Sequence, residues 1–213
     1  MDDLAIIDMA ANESNPNLSL MDKNIILITG ITEENIKSAI RVAESSTSSE
    51  NVTVGIIPGN INPLNKNMKR LSELADAVII SRGNFEDSSR IITEAISDII
   101  TKFGFVNLDI KDVKEIFRDA GTVYYGAGTA KSPGAAALKA CEMCGNILSA
   151  KRFLVNVTAG TEIMLSEMTE AANVIAGNAD PDAQIIWGHV IDENMSGNVR
   201  VSVFAAMNDK VRP

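Results

Sequence analysis

Five groups of residues carry the side chains from which chemistry could be built. Asn107, Asp109 and Asp112 fall in an N-x-D-x-x-D run, Asn107-Leu-Asp-Ile-Lys-Asp112, at the entry to an amphipathic segment. On a helix starting there, Asp109 lies at the first position and Asp112 one turn on, so both carboxylates can project past the same end. The same residue types also suit helix capping, which stabilises a helix by about 1 kcal/mol and needs no catalysis. The spacing leaves both roles open. Cys141 and Cys144, the only cysteines, are spaced C-x-x-C near the end of an alanine-rich helical stretch. Redox pairs of the thioredoxin type sit at a helix start after a strand, so packing is the expected role. One pair supplies at most two zinc ligands, and His189, the single histidine, has no sequence partner with which to complete a metal site. It is expected in strand packing or at a strand end. Gly30 breaks an apolar strand that ends at Thr29, and Thr32 followed by Glu33 and Glu34 starts a helix. The last group is Phe85 with Asp87, at the entry to the longest periodic segment; core packing and capping are the ordinary roles of those two residue types.

The elements that must position these groups follow from pattern and punctuation. The 213-residue chain is poor in aromatics, so its core must come from Ile, Val, Ala, Leu and Met. Its net charge of −9 repels phosphate backbones and anionic membranes, which argues against nucleic acid as a partner. No apolar run approaches the roughly 20 residues of a membrane span, and Met1-Asp-Asp lacks the basic start of a secretory signal; a cytoplasmic location and no membrane partner are expected. Residues 1–23 are polar apart from Leu4, Ile6, Ile7 and Met9 and are expected as an arm. From Asn24, short β-rich runs alternate with amphipathic segments, the pattern of parallel strands joined by crossover helices.

Strands are expected at Ile25–Thr29, Val52–Pro58, Ala77–Ile80, Thr122–Gly128, Arg152–Thr158, Gln184–Ile191 and Val199–Met207. Helices are expected from Thr32 through Ala43, near Leu64–Leu74, over Asp87–Phe103 with a wide apolar stripe, and over Ile110–Ala120, Pro133–Cys144 and Leu165–Ala176. The short link Asn194–Asn198 predicts an antiparallel hairpin between the last two strands. The expected architecture is α/β: a truncated Rossmann-like parallel sheet over 24–85, a long central helix over 86–103, and a C-terminal α+β domain with a mixed sheet over 104–213.

The order of motifs resembles the FtsZ/tubulin family. Asn107–Asp112, preceded by Ile100-Thr-Lys-Phe-Gly104, resembles the loop and flanking helices at the centre of FtsZ. Val155-Asn-Val-Thr-Ala-Gly160 resembles its N-x-T-x-G strand, Ala179-Asp-Pro-Asp-Ala-Gln-Ile-Ile-Trp-Gly188 its A-D-P-D-A-N-I-I-F-G segment, and Ile191-Asp-Glu with Val199-Arg-Val-Ser-Val its last hairpin. The resemblance implies that Asn107, Asp109 and Asp112 complete a GTPase site on a neighbouring subunit. It aligns Thr29, Gly30 and Thr32 with the phosphate loop and, across a gap, Asp87 with the guanine-reading Asp and Phe85 with an aromatic near the base. The chain departs there: Gly30-Ile-Thr-Glu-Glu-Asn35 stands where the family has G-G-G-T-G-[ST]-G, and a phosphate loop needs glycines and positive potential. Residues 1–23 are too short for the family's first strand, its G-x-G-G-x-G turn and two further strands. After Pro213 the flexible tail that recruits membrane anchors is expected to be missing.

The implied function is an FtsZ-like assembly or regulatory protein acting through protein–protein contacts, with a degenerate GTP site and no cofactor. A divergent GTPase that binds GTP and hydrolyses it in oligomers is the alternative, and a redox or small-molecule enzyme built on Cys141 and Cys144 is a third class. With the first strand missing, Ile25–Thr29 would expose an apolar edge. That edge is expected to pair with a second copy in a homodimer rather than be covered by the arm, an FtsZ-like subunit being the other expected partner.

Overall fold

A computed structural model describes residues 3–10, 23–46, 50–62, 65–82, 84–145 and 147–210. The chain divides into two compact units, one within Met1–Glu94, Phe117–Val123 and Asn208–Pro213, the other within Ala95–Ile116 and Tyr124–Met207.

The first unit carries β1 (Leu4–Asp8), β2 (Ile25–Thr29), α1 (Ile36–Ser46), β3 (Val52–Pro58), α2 (Lys66–Leu74) and β4 (Ala77–Ser81). Its strands run in the order β1-β2-β3-β4 and are all parallel, in register from Leu4 opposite Ile25 to Pro58 opposite Ser81. Every residue of β2 is buried, as its unbroken apolar run requires of an inner parallel strand. Helix α1 starts at Ile36 rather than Thr32, because Asn35 ties the preceding residues into a turn.

Strand β1 corrects two expectations. Residues 4–8 are not an irregular arm but the neighbour of β2, with Asn24 and Ile25 N–H donating to Asp3 O and Met9 N–H to Thr29 O, each at 2.9 Å. Alternation explains the placement: Ala5, Ile7 and Met9 turn into the core while Ile6 and Asp8 face out. The first strand is therefore present, and a second copy has no bare β2 edge to pair with, since β2 lies between β1 and β3. The polar stretch 11–22 lies outside the described residues.

Helix α3 (Phe85–Thr101) and strand β5 (Gly121–Ala130) each contribute residues to both units. On α3, Ile92, Ala95, Ile96 and Ile99 are buried as the apolar period predicts, while Ile91 is exposed.

The second unit also holds α4 (Ile110–Phe117), α5 (Pro133–Cys144), β6 (Arg152–Ala159), α6 (Leu165–Asn178), β7 (Gln184–Ile191) and β8 (Val199–Ala206). Here the order is β5-β8-β6-β7, with β6 and β7 parallel and β8 antiparallel to β6. The expected β7–β8 hairpin does not form. Strand β8 is almost wholly buried and takes the inner slot, whereas β7, with Gln184 exposed and Ile185 to Trp187 half-buried, suits the end of the sheet. A 3-10 turn at Glu193–Met195 and left-handed Ser196 and Gly197 redirect the chain between them. Among the described residues no helix is long and apolar enough to cross a membrane.

Candidate functional sites in the two units

In the second unit, Asn107, Asp109 and Asp112 come together at the start of α4 as a reciprocal cap. Asp109 Oδ1 accepts the amides of Lys111 and Asp112 at 2.7 and 3.1 Å, and Asp112 Oδ2 accepts the Asp109 amide at 2.8 Å. This is a capping box in which each carboxylate covers an N–H that the helix leaves unpaired. Asn107 Oδ1 accepts the Gly104 amide at 2.8 Å and closes the loop. Asn107 and Asp109 are exposed and Asp112 is half-buried, so the cap stands at the surface. One oxygen of each carboxylate is thus committed to backbone, and the cluster can also face a partner.

The loop leading to the cap lies along β7. Gly188 is the reason it can approach, because a Cβ there would lie 2.4 Å from Leu108 Cγ and 3.0 Å from Val106 O. Beside it His189 is buried at 2% exposure, and burial pushes its imidazole below the ordinary histidine range.

In the first unit, the ends of the parallel strands open on a cleft of about 880 Å³. Thr32 and Glu33 after β2, Gly59 and Asn60 after β3, and Ser81 and Arg82 at the end of β4 line it, with Phe85. Parallel sheets bind ligands at this end of their strands. A second hollow of about 470 Å³ has Thr29, Gly30, Thr32 and Phe85 on its wall, four of the five residues expected there. Asp87 does not line either space; its amide donates to Asn84 Oδ1 at 3.2 Å in the first turn of α3.

Three features set the chemistry of these spaces. Among the described residues, Asp8, Glu86 and Glu94 line the smaller hollow with one cation, Arg90, whose guanidinium bonds Glu94 at 2.9 Å. Glu33 adds a further carboxylate to the larger cleft. The turn after β2 is closed by Asn35, whose side chain accepts the Thr32 amide at 2.7 Å and donates to Gly30 O at 2.8 Å and Met9 O at 3.3 Å. Gly30 itself is left-handed, φ +65°, and a Cβ would meet Asp8 Oδ1 at 2.4 Å and Ala10 N at 2.8 Å. Its glycine is required by the turn that follows β1.

Cys141 and Cys144 are in no disulfide and are buried in the last turns of α5. A Cβ at Gly126 of β5 would lie 2.8 Å from Cys144 Sγ and closer still to Ala140 O, so small side chains are what let α5 lie on β5. Burial pushes the Cys141 thiol up, away from the reactive thiolate.

Sequence reasoning missed the Asn35 clamp, because Asn35 reads as part of an amphipathic helix, and missed the strand that brings Asp8 beside Gly30. Only the Asx-turn tendency of asparagine after a strand end signals the clamp.

Residues 121–208 match the model of the FtsZ family, C-terminal domain. The chain is 37% identical over 122 residues to cell division protein FtsZ 1 of Rhizobium meliloti (strain 1021), a match spanning 54% of this chain and 21% of that protein, about a fifth of its length. Among solved structures, a point mutant of FtsZ from M. jannaschii superposes with a TM-score of 0.74 at 23% identity, covering 88% of this chain and 67% of that one. An empty FtsZ dimer from the same organism gives 0.71 at 24%, covering 92% and 66%. TubZ from Bacillus thuringiensis serovar israelensis, in GDP-form protofilaments, gives 0.61 at 10%, covering 87% and 61%.

Proposed function

We propose that this chain, whose residues 121–208 match the C-terminal domain model of the FtsZ family, is an FtsZ-like assembly or regulatory protein acting through protein–protein contacts, with a degenerate GTP site. The observation that carries the reading is the lining around Gly30. Three carboxylates face the hollow where a nucleotide's phosphates would lie, with one ion-paired arginine, and the Thr32 amide is already taken by Asn35. Like charge at a few ångströms opposes a triphosphate more strongly than a helix N-terminus favours it. No GTP is therefore expected as a resident cofactor.

The loop that would act on a neighbour is retained. Asn107, Asp109 and Asp112 sit at the surface on a helix start, where carboxylates could orient water at the nucleotide of an FtsZ-like subunit stacked against them. The alternative, a divergent GTPase, draws on the cleft of about 880 Å³ at the strand ends, large enough for a small-molecule ligand.

The test is GTP turnover by a full-length FtsZ titrated with this chain. A change in turnover at substoichiometric amounts, with none by the chain alone, is expected. Turnover by the chain alone, rising with its concentration, would favour the divergent GTPase.

A further inference from the structure

The loop from Phe103 to Leu108 clasps β7, the last strand of its sheet, along the edge and on both faces. His189 N–H donates to Val106 O at 2.8 Å and Ile191 N–H to Phe103 O at 3.0 Å, so the loop stands in for a further strand. Leu108 lies over Gly188 on one face. Successive strand residues face opposite ways, and on the other face the His189 ring lies against the Phe105 ring, centroids 5.3 Å apart and planes within 5°. Its Nδ1 accepts the Phe105 amide at 3.3 Å.

An imidazole nitrogen that accepts an N–H is unprotonated, so the ring is neutral with its proton on Nε2. Nε2 is buried and has no hydrogen-bond partner among the described residues. A second proton would remove the acceptor facing Phe105 N–H and place a charge in a site that offers nothing to receive it. We infer that His189 is a positioning residue for the loop bearing Asn107, Asp109 and Asp112, clasping it to β7 only while the imidazole is neutral, so that mild acid releases it.

No charged group offsets this. The residue beside His189 on β6 is Val157, the loop presents Gly104 and Phe105, and no charge from α6 or elsewhere among the described residues contributes to its titration; burial alone lowers it. With the loop released, the His189 imidazole on β7 is no longer held by burial below the ordinary histidine value of 6.5. The released state then binds more protons, so the clasp is at full strength above that pH and weakens as pH falls below it. The docking equilibrium shifts by up to about tenfold per pH unit until the lowered value of the docked ring is passed.

The functional consequence rests on the proposed role of the loop, but the clasp can be measured on the chain alone. His189 is the only histidine, so every imidazole signal in an NMR titration belongs to it. At pH 7 the ring should be the neutral Nε2–H form. Exchange protection of the Phe105, His189 and Ile191 amides, corrected for intrinsic rates, should fall by up to about tenfold per pH unit below 6.5 while β6 amides stay protected. His189→Asn, which offers a non-titrating acceptor, should flatten that dependence. Unchanged protection of the three amides in the wild type from pH 7.5 to 5.5, or a wild-type pH dependence in His189→Asn, would overturn the inference. A titrating clasp in a chain that never alters a partner's turnover would support it and refute the proposed function alone.

Discussion

Replacing Asp109 by alanine removes the oxygen that accepts two amides at the start of α4, from Lys111 at 2.7 Å and Asp112 at 3.1 Å. Loss of an N-cap acceptor costs about 1 kcal/mol, and loss of a negative charge at a helix N-terminus roughly 0.3–1 kcal/mol more. Asp109→Ala should therefore cost about 1–2 kcal/mol, or about 2–8 °C in Tm for a chain of this size. Asp109→Asn keeps the accepting oxygen and loses only the charge, so its cost should stay below about 1 kcal/mol. The pair separates capping from chemistry: if the carboxylate acts on a neighbour's nucleotide, Asp109→Asn abolishes stimulation of a partner FtsZ while nearly keeping stability. Urea unfolding at unchanged m, run beside the turnover assay, reads both. The reasoning is refuted if Asp109→Ala unfolds at the wild-type midpoint, which would mean the cap contributes nothing, or if Asp109→Asn stimulates as wild type does. The Asp109 and Asp112 variants share contacts, so their combined cost should fall short of the sum.

Asn35→Ala removes three side-chain hydrogen bonds, to Thr32 N, Gly30 O and Met9 O, and at about 1 kcal/mol each should destabilise the chain by roughly 2–4 kcal/mol in denaturant unfolding. Gly188→Val drives side-chain atoms into Leu108 and Val106 O and should cost about 1–3 kcal/mol; amide exchange should quicken at His189 and Ile191 more than in β6. Cys141 and Cys144 should react slowly with a disulfide reagent at pH 7 until the chain is unfolded, and Cys141→Ala with Cys144→Ala should leave effects on a partner unchanged. A redox-dependent activity lost in that double variant would contradict the packing role.

What the sequence disclosed depended on whether the signal was local. The nearly all-apolar Ile25–Thr29 and the helix Pro133–Cys144, opened by Ser132 and closed by Gly145, carry their own boundaries and appear with them unchanged. Leu4–Asp8 does not, because five residues beside a polar stretch become a strand only through the ladder that β2 supplies. The β7–β8 link misled for the opposite reason: a short connection suggests pairing, but depth of burial sends β8 between β5 and β6. The candidate site divides in the same way. The N-x-D-x-x-D spacing pointed to Asn107, Asp109 and Asp112 and to both of their possible roles, which the capping bonds alone do not separate. The stacking of His189 on Phe105 joins residues 84 positions apart, and no periodicity announces it.

The central claim concerns the nucleotide, and isothermal titration of the chain with GTP, with and without magnesium, tests it most directly. With Asp8, Glu86 and Glu94 around the Gly30 turn and the Thr32 amide bound to Asn35, no binding tighter than about 1 mM, some −4 kcal/mol, is expected in either condition. A dissociation constant near 1 μM, about −8 kcal/mol, would contradict the account and make the divergent GTPase the better description.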